Sequence, residues 1–151
     1  MKYIESPKIY KGKEKSLFLA GGIQNCPDWQ HYMAMYLLKD ADIVLFNPRR
    51  KDFPIDDPSA AQAQIKWEYE YLRKATAILF WFPRETLCPI VLYELGAWSM
   101  TDKKIFVGVH PLYKRKQDVE IQTGLARPKI GIVHSEEALA AQVIRDLGEI
   151  K

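Results

Sequence analysis

Two acidic residues stand where their neighbours give a charge little reason to be. Glu94 lies within "ILFWFPRETLCPIVLYELGAW" (78–98), a run that is apolar on both sides of it. An unpaired buried carboxylate is costly and titrates upward. Glu94 is therefore a border residue reaching water, a paired core charge, or a group kept for chemistry. Counted at helical spacing after Pro89, which suits a first turn, it shares a face with Ile90, Val91, Ala97 and Trp98, the stripe expected to pack on a sheet. In the preceding helical stretch, "AQAQIKWEYEYLRKA", Glu68 has Gln64, Ile65, Tyr71 and Leu72 as helical neighbours and sits beside Trp67. It reads as a boundary residue or a second cleft acid. Glu70 differs: Lys66, Arg73 and Lys74 are within helical reach, as for a solvated ion-pair glutamate. Two carboxylates facing one cleft are the equipment for cleaving a glycosidic bond. One attacks the anomeric carbon while the other handles the proton on the leaving group. Burial and mutual repulsion then separate their pKa values.

The elements that must carry these groups follow from pattern. "SLFLA" (16–20), "DIVLF" (42–46), "AILFW" (77–81) and "KIFVGV" (104–109) are apolar throughout, as parallel strands covered on both faces should be. Helical periods fill roughly 28–39, 60–74 and 90–101, and a weaker strand near "KIGIV" precedes a last helix over about 135–148, with Ser135 as its N-cap. This alternation predicts βαβ units in an α/β fold with helices on both faces of a parallel sheet. Ligands of such sheets bind beyond the carboxyl ends of the strands, here "GGIQN", "NPRR", "FPRET" and "HPLY". The expected organisation is an N-terminal extension over 1–15, mobile or at an edge, and one domain over 16–151. The proline-rich stretch 47–60 reads as a surface loop.

Composition bounds the class. The chain has 151 residues, 48% hydrophobic and 27% charged, with a net charge of +3. That charge is too small to argue for nucleic acid. No run approaches the ~20 apolar residues of a membrane span, and no apolar block of a signal peptide stands at the start. Cys26 and Cys88 are too few for a disulfide framework, so a cytoplasmic location is expected. His31, His110 and His134 are scattered and the cysteines lack CxxC spacing, so no metal is expected. The glycines of "AGGIQN" form neither GxGxxG nor GxxxxGK. Asp28 reads as a first-turn acid, Arg50 either as an anion-binding arginine or as solvated charge, and Cys88 as a small packed thiol.

"SLFLAGGI", "WEYEYLRKATAILFW" and "PIVLYELG", with "NPRR" between the first two, together resemble the nucleoside 2-deoxyribosyltransferase superfamily over roughly 16–122. The resemblance implies a flavodoxin-like three-layer fold with a five-stranded parallel sheet. It implies transfer of 2-deoxyribose between nucleobases without a cofactor, Glu94 being the nucleophile and Glu68 the group that manages the proton on the base. Gly21, Gly22, Ile23 and Gln24 would shape the base and sugar pocket, with Asn47, Arg49, Trp67, Glu85 and Thr86 as further substrate contacts. Where many relatives carry a tyrosine on the first strand, this chain has Phe18. The resemblance also implies a homo-oligomer, a neighbour's segment near 118–122 bringing Glu120 or Gln122 to the site. Hydrolysis of nucleosides or their 5′-monophosphates, and non-catalytic nucleotide sensing, are the alternatives on the same fold.

Overall fold

Alternate residues of a strand point to opposite faces of a sheet, so a strand apolar at every position calls for a cover on both sides. The computed structural model, which describes residues 1–147, has that arrangement. Five strands run parallel: β1 (Lys2–Glu5), β2 (Ser16–Gly21), β3 (Val44–Asn47), β4 (Ala77–Phe82) and β5 (Lys104–Val109). Leu17, Leu19, Leu45, Leu79 and Phe106 enter one core, beneath α1 (Trp29–Tyr32), its π-helical continuation Met33–Leu37 and α5 (Glu136–Asp146). Phe18, Ala20, Phe46, Phe80, Val107 and Val109 enter the other, beneath α2 (Pro58–Lys74), α3 (Pro89–Ser99) and α4 (Lys116–Ala126). The result is the expected flavodoxin-like three-layer α/β fold. Among the described residues no helix is long and apolar enough to cross a membrane.

The strand order is β1-β3-β2-β4-β5. The fifth strand is thus not "KIGIV" but "KYIE" from the N-terminal segment, paired with β3 from Lys2↔Val44 to Glu5↔Asn47. The expected strand shrinks to one parallel bridge, Gly108↔Val133, beside β5. Both stretches are short and half-exposed, which is why apolar content did not separate them. Residue 148, the end of the expected last helix, and the tail of the expected domain to 151 lie outside the described residues. The turn in chain order falls at β2, which has β3 on one side and β4 on the other, so the crevice for a ligand opens beyond Gly21 and Phe82.

The helices begin and end on side chains suited to the task. Asp57 accepts from Ser59 N–H at the start of α2, with Pro58 in the first turn. Ser135 accepts from Ala138 N–H at the start of α5, as its sequence position implies. Cys88, with φ 50° and ψ 58°, turns the chain through a left-handed conformation into Pro89 and α3. On α3 the residues facing the core are Val91, Leu95 and Ser99, whereas Ile90 and Ala97 of the expected stripe are exposed. Glu94 is therefore at the border of the buried stripe, half-buried.

Cations close two helix ends. Lys103 Nζ donates to the carbonyls of Arg73 at 2.8 Å and Ala75 at 2.6 Å, after α2. The Arg127 guanidinium donates to Ser99 O at 2.9 Å, Trp98 O at 3.1 Å and Lys103 O at 2.8 Å, and also to Thr101 O. These include the last carbonyls of α3, where positive charge also complements the helix dipole. Arg127→Ala should cost about 2 kcal/mol, since charge-assisted hydrogen bonds are lost together. Arg127→Lys should recover only part, an ammonium being unable to span the same carbonyls. Denaturant midpoints of the three proteins measure this, and an alanine variant of unaltered stability would contradict the assignment.

Candidate active site

Where the chain order turns, residues from β2, α2, α3 and the intervening loops enclose a cavity of about 610 Å3. Its floor is Phe18, Ala20 and Gly21 to Gln24. One wall is α2 with Gln64, Ile65 and Glu68, and the other is Thr86, Cys88 and α3 with Glu94. Glu68 and Glu94 thus face one cleft from successive helices. Within that floor Gly21 leaves no room for a side chain, and Gly22 leaves little. A Cβ on Gly21 would lie 2.3 Å from the Trp29 ring and 2.6 Å from Trp81 O, and one on Gly22 would lie 3.0 Å from both cysteine sulfurs.

A buried clamp holds that floor. The carbonyl of Gly22 accepts from Trp29 Nε1 at 3.0 Å and Gln30 Nε2 at 3.2 Å, and Gln30 is wholly buried. Arg49 donates to Pro27 O at 2.9 Å, Cys26 O at 3.1 Å and Gln30 Oε1 at 3.3 Å. Asn47, 1% exposed, accepts from Arg49 N–H at 2.9 Å and donates to Tyr3 Oη. Asn47 and Arg49 therefore do not line the cavity, contrary to the substrate contacts expected of them. The Arg49 guanidinium is spent on the loop after β2 and on Gln30, and the Asn47 amide on Tyr3 and the Arg49 N–H. Asp28, expected in a first turn, instead caps α1 by accepting from His31 N–H at 3.0 Å.

Arg50, left open by the sequence between anion binding and solvated charge, is the arginine that lines the cleft, its guanidinium 5.3 Å from the Phe53 ring centroid. Phe53 and Ile55, in a stretch read only as a surface loop, complete that wall. Two large apolar side chains amid charges and prolines were the available signal. Trp67 is core: it stacks on Tyr71 at 4.1 Å between ring centroids, and its Nε1 donates to Lys8 O at 2.9 Å. Glu85 is exposed and paired with Arg84 at 3.6 Å, outside the cleft, while Thr86 does line it. Glu120 and Gln122, expected to reach a neighbouring copy's site, lie on helix α4 away from this chain's own cavity. Glu120 is 3.7 Å from Lys116 and 3.3 Å from His134 Nε2, and Gln122 donates to Asp118 at 3.4 Å. Glu70 is exposed as expected but lacks its expected ion pairs, because Arg73 lies over the Tyr69 ring and Lys74 donates to Tyr10 O.

Burial governs how the cleft acids titrate. Glu94 is pushed up to about 8, first by burial and then by the charge of Glu68. Among the described residues none donates a hydrogen bond to it. Glu68 is also raised by burial, but a hydrogen bond from Gln64 Nε2, at 2.8 Å, opposes the rise. Glu94 is accordingly protonated near neutral pH. Cys88 is no nucleophile at this pH: burial, then the neighbouring Cys26, lift its thiol to about 12.

The fold and cleft define a flavodoxin-like α/β protein with an acidic pair at its switch point. The chain belongs to the nucleoside 2-deoxyribosyltransferase-like family, whose match covers residues 14–113. That span includes the cleft and both glutamates and leaves out β1, α4 and α5. Among curated proteins none matches the chain.

The titration of Glu94 has a consequence for stability. A carboxyl whose native pKa lies above its unfolded value contributes stability that is complete below the unfolded value, near 4.5, and is lost as pH rises through about 8. Glu94→Gln removes that loss. The variant should melt higher than the parent at about pH 9, by on the order of 2 kcal/mol, with the gain vanishing near pH 5. Thermal melts across this range measure it, and an equal gain at both ends would show that Glu94 is not held protonated by the fold.

Proposed function

We propose that the protein is a nucleoside 2-deoxyribosyltransferase that works by double displacement. The observation that carries the reading is the pair of half-buried glutamates facing one cavity at the sheet's switch point, within the span that matches the family. In the first step a carboxylate oxygen of Glu94 forms a bond to C1′ of a 2′-deoxynucleoside as the C1′–N bond breaks. The electron pair of that bond stays on the base nitrogen, and Glu68 delivers a proton to the base. A second base then attacks C1′, Glu68 takes up its proton, and the ester to Glu94 breaks. Two inversions return the original configuration.

The scheme needs a proton on the pair, and the raised pKa of Glu94 supplies one at neutral pH. Its resting position on Glu94 must change on binding. A base nitrogen beside Glu68 offers that carboxyl a hydrogen-bond acceptor, and positive charge developing at C1′ favours the anion of Glu94. Proton transfer from Glu94 to Glu68 accordingly accompanies binding. No metal or organic cofactor enters the scheme. Assembly of copies that brings Glu120 or Gln122 to a neighbour's cleft belongs to the same reading. One observation favours a second substrate form: Arg50, a cation on the cleft wall, suits an anionic substituent such as a 5′-phosphate.

Incubation with a deoxynucleoside, or its 5′-monophosphate, with and without a second base tests the reading directly. Base exchange supports transfer, free sugar supports hydrolysis, and an inert mixture supports a sensor. Glu94→Gln should lower turnover by several orders of magnitude with the fold retained, and Glu68→Ala by about 100-fold or more. A 2-fluoro-2-deoxyribosyl substrate should leave the sugar on the peptide containing Tyr93, Glu94 and Leu95, and a label on Glu68 would reverse the roles. Turnover should peak while the pair holds one proton. It should fall as pH rises through about 8, where the second proton is lost, and fall on the acid side as Glu68 gains a proton. A rate that keeps rising above pH 9 would exclude the shared proton.

A further inference from the structure

Gln64 lies one helical turn before Glu68 on the cleft wall, and its amide makes three hydrogen bonds whose directions one partner decides. Nε2 donates to the carbonyl of Pro48 at 2.6 Å. A carbonyl carries no hydrogen, so the nitrogen and not the oxygen of the amide must face it. The second hydrogen of Nε2 goes to Oε1 of Glu68 at 2.8 Å. The amide oxygen is left to accept from Ser6 Oγ at 2.7 Å. Ser6 directly follows β1, is 3% exposed, and its N–H donates to Asn47 O at 3.0 Å. Every hydrogen-bonding atom of the Gln64 amide is therefore committed, and the chain of contacts runs from the edge strand to the cleft.

We propose that Gln64, oriented by Pro48 and Ser6, is a positioning residue that fixes the carboxyl of Glu68 and sets its acid strength. The proposal rests on the reading above in which Glu68 moves the proton on the base. A donor held against one carboxylate oxygen favours the ionised form, because the neutral acid accepts the same bond less strongly. A stronger acid gives its proton more readily to the departing base, and a fixed carboxyl gives it at the right atom. Glu94 from α3 and Arg50 from the loop after β3 are the charged groups that share the cleft with Glu68, while β2 contributes only Phe18, Ala20 and glycine. Gln64 is the hydrogen-bond donor that opposes the burial of Glu68. Ser6 lies before the matched span 14–113, so the outer end of this chain of contacts belongs to what surrounds the family core here.

The test reads Glu68 itself. Carbon NMR of glutamate labelled at the side-chain carboxyl, recorded on the full chain in a Glu94→Gln background, follows its titration with no turnover required. Gln64→Met keeps length and removes the donor, and should raise the Glu68 pKa by about one unit. Ser6→Ala leaves Gln64 in place but unfastens it, and should raise that pKa by less, in the same direction. In the enzyme with Glu94 restored, the acid limb of kcat/KM should move upward by the same amounts. A Glu68 titration unmoved in both variants would overturn the proposal. Should Gln64→Met fail to fold, Ser6→Ala carries the test alone. A shifted titration in a protein that turns over no nucleoside would support the positioning role while refuting the activity.

Discussion

Two carboxyl groups sharing one partly buried cleft repel each other once both are ionised, and the remaining architecture is arranged around that repulsion. Glu94 receives no hydrogen bond among the described residues, and after burial the charge of Glu68 is what raises it. Glu94 therefore stays protonated up to about pH 8, and its titration is coupled to that of Glu68. Such a pair is costly to the folded state, so its persistence needs a scaffold that cannot relax away from it.

That scaffold is assembled from contacts remote from the acids. Gly21 lets β2 run beneath Trp29, and the Trp29 and Gln30 donors then hold the Gly22 carbonyl. Arg49 anchors the following residues, so the cleft floor is fixed from below. Cys88 directs the chain into α3 through its left-handed turn, and Arg127 ties the other end of that helix to the approach to β5. Tyr113 adds a bond from its hydroxyl to Leu87 O at 2.6 Å, bracing the loop that enters α3. Each element acts on the position of Glu94 or Glu68 without touching either.

The layers and the acid pair were legible in the sequence because both follow from hydrophobic pattern. Strands apolar at every position demand two covers, and a lone acid in such surroundings stands out. Less legible was anything decided by the direction of a loop. Arg49 and Arg50 are chemically the same and adjacent, yet one is folded under the floor and the other faces the cavity. The aromatic Trp67 next to Glu68 invited a stacking role. Its indole N–H instead meets the carbonyl of Lys8, from a segment that local pattern could not bring near it. The same segment supplies the edge strand, whose four residues carry too weak a signal to compete with "KIGIV".

The rim of the cleft bears on the fate of anything left on Glu94. Ile55 is 86% exposed, Ile65 66% and Ile90 62%, and Phe53 also faces solvent. A doorway of oily side chains admits a flat aromatic ring and, within one copy of the chain, also meets bulk water at the threshold. In the proposed double displacement, an ester on Glu94 would be in a race between two acceptors, one scarce but attracted by the apolar frame and the other abundant and indifferent to it. Which acceptor wins depends on how long the scarce one dwells at the opening. Whether such a chain behaves as an exchanger or as a scissor is thereby a question of residence time at its mouth, and the supply of free base around it would tune the balance.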